Sequence, residues 1–361
     1  MKNVLTLTLY LILTASFSSC QFQEKSHYVS AKQLYKEGKY QKAAEELKKE
    51  IANNSGSIDA HYLLGNSYYY LKMYQEAEEE YRQILEMNPS DEQLAKAYVG
   101  IGITYRDRKK YDAAIEQFKK AIAIDENLVK ARFFMGDVYV AKGDVFEGIA
   151  IFKKTLELAP DELQIYLRLA HAYGLLGYRK EAIDAYKKVL EIDRSFRNVH
   201  DALGVLYLEE DSYEEAIQEF KRELELYPDS KGTVYNLGHA YYKKGDLEEA
   251  MSHLRIALKS DPDNPNIKCA IAGVHLGKNN INEAKRLLED LILNNPTYPD
   301  AYYSLGWLYD EKLSKLNEAL KYYSKFLELS MNSNNTRKND TFQRIEWTKK
   351  RIQEIKMTLS P

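Results

Sequence analysis

Residues 61–89 read HYLLGNSYYYLKMYQEAEEEYRQILEMNP, and the spacing inside this stretch decides the fold. Gly65 is followed three positions later by Tyr68, Ala77 four positions later by Tyr81, and Pro89 closes the stretch. The same pattern returns along the chain. Ala31, Gly65, Gly102, Gly136, Ala170, Gly204, Gly238, Ala272 and Gly306 form a column with intervals of 34 residues, except for 37 between Gly65 and Gly102. In phase with it run Tyr68, Tyr105, Tyr139, Tyr173, Tyr207, Tyr241 and Tyr309. A second small column is Ala43, Ala77, Ala114, Gly148, Ala182, Ala216, Ala250, Ala284 and Ala319. Four residues beyond it lie Leu47, Tyr81, Phe118, Phe152, Tyr186, Phe220, Leu254, Leu288 and Tyr323, and Pro89, Pro160, Pro228, Pro262 and Pro296 close five of the units. A fixed period of this length means one supersecondary unit repeated into a solenoid. Stacked repeats present an extended surface rather than a catalytic pocket.

The columns have a direct physical reading. Each unit carries two stretches with apolar residues at helical spacing, for example Tyr235, Leu237 and Tyr241, then Ala250, Leu254, Ala257 and Leu258. Lys244-Gly245-Asp246 is the turn between them, where glycine accepts backbone angles that other residues avoid. A glycine or alanine in each helix lets two backbones approach, and a tyrosine or phenylalanine fills the space alongside. Proline then ends the second helix through its missing N–H and ring clash. One helical pair cannot bury its apolar faces alone, so neighbours must stack.

On these columns the chain resembles the tetratricopeptide repeat family, whose pattern is W-x2-L-G-x2-Y…A-x3-F…P. His61-x2-Leu64-Gly65-x2-Tyr68…Ala77-x3-Tyr81…Pro89 follows it, with His61 in the tryptophan place. The resemblance covers about Glu24 to Ser333. It implies an all-α, right-handed α-solenoid of about nine helix-turn-helix units with a C-terminal capping helix. Within a solenoid at 28–333, the repeats fall at about 24–57, 58–91, 95–128, 129–162, 163–196, 197–230, 231–264, 265–298 and 299–333. The period makes one elongated unit the expectation for the 361 residues, in place of two or three domains. Three additional residues near Asp91–Leu94 and one near Ser314, between Lys312 and Leu316, depart from it. Residues 334–361 read as a polar loop and a capping helix with a stripe of Phe342, Ile345, Ile352 and Ile355, while Trp347 falls off the stripe and is expected to be partly buried on the last repeat.

Thirty tyrosines interleaved with basic residues would suit nucleic-acid stacking, but 51 Lys+Arg against 54 Asp+Glu give a net charge of −3. Without residues 1–19, which carry only Lys2, the charge is −4, so no net basic field exists to hold phosphates. Lys2 precedes an apolar run from Val4 to Leu13, too short to span a bilayer and suited to a signal-peptide core. The small residues before Cys20 resemble the lipobox of bacterial lipoproteins, although Phe17 stands where an aliphatic residue is usual. The resemblance implies a lipoprotein signal peptide at 1–19, Cys20 as the lipidated first residue, and a lipidated tether at 20–27. The alternatives are an ordinary secretory signal cleaved nearby, or a cysteine present by chance. With Cys20 lipidated, Cys269 stands alone and no intramolecular disulfide is expected. More than one acyl chain gives stable attachment. A tether of this length reaches roughly 25 Å, which keeps the solenoid close to its membrane.

In tetratricopeptide proteins the concave groove is lined by the first helix of each unit. Carried onto this sequence, the resemblance places Tyr62, Asn66, Tyr69, Ile103, Arg106, Phe133, Asp137, His171, Tyr235, His239, Tyr242, Tyr303 and Trp307 in a partner-binding groove. Such a surface suits an extended or helical peptide with aromatic anchors. A cochaperone-type carboxylate clamp is not expected, since Tyr62 replaces a lysine and Gly100 an asparagine. The stretch Gly273–Asn279 lacks the residues of a phosphate loop, and Asp261–Pro265 lacks the glycine and distal glutamate of a calcium loop. His171 and His239 sit two units apart, too distant to share a metal. No nucleophile–base pair or paired-carboxylate site is evident, so no catalytic residues, metal or cofactor are expected, and the chain reads as no enzyme. The expectation is a membrane-anchored scaffold of the bacterial cell envelope, at the outer membrane, binding protein partners of unknown identity and no nucleic acid. The alternative is an envelope glycan-binding or glycan-processing accessory protein, since aromatics also stack on sugars.

Overall fold

In the computed structural model, residues 27–331 and 339–359 are described, and every described element is helical. The expected signal peptide, Cys20 and the polar loop at 332–338 lie outside the described residues. The chain divides into two compact units, Met1–Ile192 and Asp193–Pro361, where the repeat leads one to expect a single elongated unit. In the first unit the helices are α1 (27–36), α2 (Tyr40–Asn53), α3 (Ile58–Tyr70), α4 (Tyr74–Leu85), α5 (Asp91–Asp107), α6 (Tyr111–Ile124), α7 (Val129–Lys142), α8 (Val145–Leu156), α9 (Leu163–Leu176) and α10 (Arg179–Ile192). The second unit holds α11 (Val199–Glu209), α12 (Tyr213–Leu226), α13 (Lys231–Lys244), α14 (Leu247–Ser260), α15 (Pro265–Gly277), α16 (Ile281–Asn294), α17 (Pro299–Trp307), α18 (Leu316–Met331) and α19 (Asn339–Leu359). Odd-numbered helices up to α17 are the first of each hairpin and the following even-numbered helix the second, which is an all-α solenoid arrangement within each unit.

The turn inside each of the first eight hairpins is built the same way. Gly38, Lys72, Lys109, Gly143, Gly177, Asp211, Gly245 and Asn279 all have φ between 55 and 102°. The next N–H reaches back to the carbonyl five residues earlier, as from Met73 to Tyr68, Asp144 to Tyr139 and Asp246 to Tyr241, each at 2.9 Å. This is the Schellman closure of a helix C-terminus, and it needs a left-handed residue. Between repeats, Pro265 and Pro299 occupy the first positions of α15 and α17, where the missing N–H costs nothing. Asn264 caps α15, its Oδ1 accepting from the N–H groups of Asn266 (3.0 Å) and Ile267 (3.4 Å); that is the role of the stretch resembling a calcium loop.

Packing turns on close approach at the first small column. A Cβ on Gly65, Gly102, Gly136, Gly204 or Gly306 would lie 2.5–2.6 Å from the ring of Tyr81, Phe118, Phe152, Phe220 or Tyr323. Those rings are 0–2 % exposed and centre the clusters of each hairpin. Where the column holds alanine, the ring is absent or displaced. Ala31 and Ala272 face the buried Leu47 and Leu288, and Tyr186, opposite Ala170, is only half-buried. A second device joins the two helices of some hairpins. His27, His61 and His200 each place Nδ1 2.6–2.7 Å from a carboxylate oxygen 19 residues on, in Glu46, Glu80 and Glu219.

The two departures from the period are absorbed inside helices. The residues near Asp91 add a turn to α5, which is 17 residues long and starts in a capping box between Ser90 and Gln93. The residue near Ser314 is taken up by a π-helical turn, Leu308–Lys312, in which the Leu313 N–H bonds the Leu308 carbonyl at 3.2 Å. That turn buries Asp310, which Arg351 of α19 grips through Nε and Nη2 at 2.8 and 2.9 Å. The buried stripe of α19 is Ile345, Thr348 and Ile355, with Ile352 packed beside it. Phe342 departs from its expected place and is 57 % exposed. At 3.6 residues per turn it points roughly a quarter-turn away from the centre of that stripe.

Candidate functional site

In the first unit the first helices of successive hairpins bring the expected groove residues together. Tyr62, Asn66 and Tyr69 are spaced by four and three residues on α3 and so share a face. With Val99, Gly100, Ile103 and Arg106 of α5 and Lys130 and Phe134 of α7, they line a cavity of about 300 Å³ that Tyr35, Tyr70 and Tyr81 complete. A second cavity of about 540 Å³ adjoins it through Arg106 and is lined by Asp137, Val140, Ala141, Phe152, Arg168, His171 and Leu175. Of the expected residues in this unit, Phe133 alone lines neither cavity. Its ring packs against Phe134 (5.3 Å) and Phe152 (6.2 Å), with the Arg168 guanidinium over it at 5.8 Å.

The polar groups of this face are held by one another. The Tyr69 hydroxyl donates to Asp107 Oδ2 at 2.6 Å, and Arg106 donates from Nε to Asp107 Oδ1 at 2.7 Å and from Nη2 to Tyr69 at 3.2 Å. The Arg106 guanidinium also lies over Phe134, 5.1 Å from the ring centre. Burial, with the Asp107 carboxylate adding to it, pushes the Tyr69 phenol up to about 12. Asn66 Oδ1 accepts from the Tyr81 hydroxyl at 2.8 Å, and the Tyr81 ring fills the space between Gly65 and Gly100. Asp137 pairs with Arg168 Nε at 3.0 Å. Burial raises the Asp137 carboxyl above its ordinary range, while Arg168, Arg106 and His171 pull the other way. The result is a surface of aromatic walls and mutually paired polar groups.

The second unit presents a different face. On α13, Tyr235 and His239 stack with ring centres 6.0 Å apart and planes 2° from parallel, and Tyr242 continues the row at 6.3 Å. Burial pushes the Tyr235 phenol up to about 12 and raises that of Tyr242. The Tyr242 hydroxyl lies against Gly273, where a Cβ would come within 2.9 Å of it. Trp307 is half-buried with the Lys312 ammonium over its ring at 5.6 Å. Tyr303 is covered from within: Trp347 meets its ring at 6.0 Å, Phe326 at 5.2 Å, and the Arg344 guanidinium sits 5.5 Å above it. The C-terminal helix thus occupies the space over Tyr303, and Trp347 packs an edge on Tyr303 and Tyr323 while keeping 39 % of its surface exposed, more than the expected partial burial.

Several lining residues are absent from the sequence expectation: Tyr35, Tyr70, Lys130, Phe134 and Arg168. Helical spacing could have found three of them, since Lys130 and Phe134 are one turn apart on α7 and Arg168 is one turn before His171 on α9. Among the described residues no group of His, Cys, Asp and Glu could hold a metal ion, and no helix is long and apolar enough to cross a membrane.

Comparisons with known proteins agree with this geometry. Residues 56–127, 163–196, 207–272, 243–308 and 299–332 match family profiles that share the description "Tetratricopeptide repeat". Residues 10–84 also match a profile described as "Anaphase-promoting complex, cyclosome, subunit 3". A Hsp70-Hsp90 organising protein of Plasmodium falciparum is 30 % identical over 106 residues, which is 28 % of this chain and 19 % of that relative. The match therefore spans about a fifth of that protein's length. Among solved structures, a tetratricopeptide repeat protein from Parabacteroides merdae superposes with a TM-score of 0.59 at 15 % identity, covering 71 % of this chain and 99 % of that one. The C-terminal part of a TPR repeat-containing protein from Cytophaga hutchinsonii gives 0.57 at 19 % identity, covering 68 % and 98 %.

Proposed function

The chain belongs to the tetratricopeptide repeat family, and on that premise we propose that it is a membrane-anchored interaction scaffold of the bacterial cell envelope. Proteins of this family generally mediate protein–protein interaction and are generally not enzymes. The first unit takes a peptide or helix of a partner protein along α3, α5, α7 and α9, and Cys20 carries the lipid that holds the chain at the outer membrane. One observation supports the binding role above the others: Tyr62, Asn66, Tyr69, Ile103, Arg106, Asp137 and His171 line two cavities that share Arg106. In the second unit the Tyr235–His239–Tyr242 row offers a flatter aromatic strip for a further segment of partner.

A photo-crosslinking residue in place of the exposed His171, with a control at Ile256 on α14, tests the binding role in intact cells. A discrete protein adduct from position 171 and none from 256 is expected. Identical adducts from both, or none from either, would remove the groove from consideration. Metabolic labelling with a fatty-acid analogue tests the anchor separately: label on the wild type that disappears in Cys20→Ala is expected, and label that persists there rejects Cys20 as its site.

A further inference from the structure

We propose that the tyrosine-walled cavity of the first unit receives a proline-rich segment of the partner in polyproline II conformation. The inference rests on the groove reading and adds what the bound peptide must be made of. The wall comes first. Tyr40 and Tyr70 stack with ring centres 4.6 Å apart, and Tyr35 sets its edge against them at 5.3 and 5.8 Å. Tyr69 meets Tyr70 at 5.5 Å, and Tyr70 keeps 53 % of its surface exposed. Rings locked against one another lose little freedom when a ligand packs on them.

The hydrogen-bonding inventory is the more selective observation. Arg106 commits Nε to Asp107 and one N–H of Nη2 to Tyr69, and the rest of its five-donor fork is uncommitted. Lys130, also lining the cavity, has no hydrogen-bond or ion-pair partner among the described residues. Asn66 accepts from Tyr81 through Oδ1, and its side chain also hydrogen-bonds the Tyr62 hydroxyl. No carboxylate lines this cavity. With the cations of Arg106 and Lys130 and the tyrosine hydroxyls as donors, and no carboxylate among the lining residues, these aromatic faces favour a ligand rich in carbonyl oxygens.

A proline-rich strand answers that description. Each proline keeps its carbonyl and lacks the N–H, and polyproline II leaves every carbonyl free of internal bonds. An ordinary extended peptide would bring one N–H per residue, for which the lining offers hydroxyl and amide oxygens and no carboxylate. Aromatic-lined grooves that dock polyproline II segments exploit the same preformed, low-entropy strand.

Fluorescence anisotropy of labelled, C-terminally amidated decaproline against the full chain tests the proposal. Peptides of equal length made of glycine and serine, and of leucine and serine, serve as comparisons. Tyr70→Ala and Lys130→Ala alter exposed side chains, Tyr178→Ala is an exposed control away from the cavity, and circular dichroism establishes that each variant is folded. The expected result is decaproline binding that weakens about tenfold or more in Tyr70→Ala and is unchanged in Tyr178→Ala. Decaproline bound no better than the glycine–serine peptide, or equally well by Tyr70→Ala, would overturn the proposal. If the leucine–serine peptide then binds in a Tyr70-dependent way, proline selection falls and the groove stands. If no peptide binds and crosslinking at position 171 is also empty, both fall together.

Discussion

Gly102→Ala should destabilise the first unit, although alanine is the better helix former. The two effects can be weighed. Alanine in a helix interior is favoured over glycine by about 1 kcal/mol. Against this, the new Cβ would lie 2.5 Å from one Phe118 ring carbon and 2.8 Å from two others, where ordinary contact begins at 3.4 Å. The ring is fully buried among Ala114, Ile115, Ala121 and Met135, so it has no route into solvent. Overpacking of this kind costs about 1–3 kcal/mol, and more when the neighbour cannot move. With the ring held on all sides the upper part of that range applies, so the expected net loss is about 1–2 kcal/mol. Phe118→Leu alone should cost a similar amount through the cavity it leaves. The double substitution copies the Ala31–Leu47 and Ala272–Leu288 pairs already in the chain, both fully packed, and should cost less than the two singles added together. Urea unfolding of the four proteins in a double-mutant cycle measures the coupling, expected at about 1–2 kcal/mol in favour of the pair. A neutral or stabilising Gly102→Ala, or strict additivity, would refute the close-approach account of the whole column.

The left-handed turn residues make an opposite prediction: Lys72→Gly and Lys109→Gly, at φ 60 and 58°, should each raise stability by about 0.5–1 kcal/mol in urea titrations, since glycine adopts αL without a Cβ penalty. Hydrogen bonding to Glu80 holds the His61 imidazolium above its ordinary range against the opposing effect of burial. A raised folded pKa stabilises below the unfolded value of 6.5 and the benefit fades as pH rises through the folded value, so the wild type should lose urea resistance from about pH 6.5 upward relative to His61→Gln. Parallel curves for the two proteins would exclude this pair as a contributor. Asp310→Ala removes both acceptors of the Arg351 fork and should cost about 1–3 kcal/mol, read as faster amide exchange across α19 with little change in α1–α10.

Much of this architecture was written in the columns. Small residues 34 apart named the helix pairs, and the rings sixteen residues beyond Gly65, Gly102, Gly136 and Gly204 named their packing partners. The groove residues came from the family resemblance, which places them on the first helix of each unit away from the small and tyrosine columns, and those of the first unit except Phe133 line the two cavities. What escaped was set by neighbours instead of by period. Tyr70 belongs to the cavity only because it stacks on Tyr40 of another helix, and Tyr303 is withdrawn because Trp347, beyond the last repeat, packs over it. The His–Glu links recur at 19 residues in three hairpins, but His61 stands where the family pattern has tryptophan, so a family comparison reads it as a substitution.

The departures from the period carry a related argument. A residue inserted into a loop leaves the helices where they were, whereas a residue inserted into a helix rotates everything beyond it by about 100°. Three residues added at the start of α5 come close to a full turn, so the face carrying Ile103 and Arg106 keeps its alignment with α3 and α7, and the shared cavity survives. One residue added after Gly306 cannot be absorbed that way. The π turn at Leu308–Lys312 takes it up by widening one loop of the helix, and this keeps Tyr309 in the core while turning Asp310 inward. A buried carboxylate without a partner would be costly, and Arg351 supplies the partner from α19. Insertion and capping helix are therefore coupled: deleting Ser314 to restore the period should release Asp310 from Arg351 and loosen the cap, where a passive loop insertion would leave it unchanged.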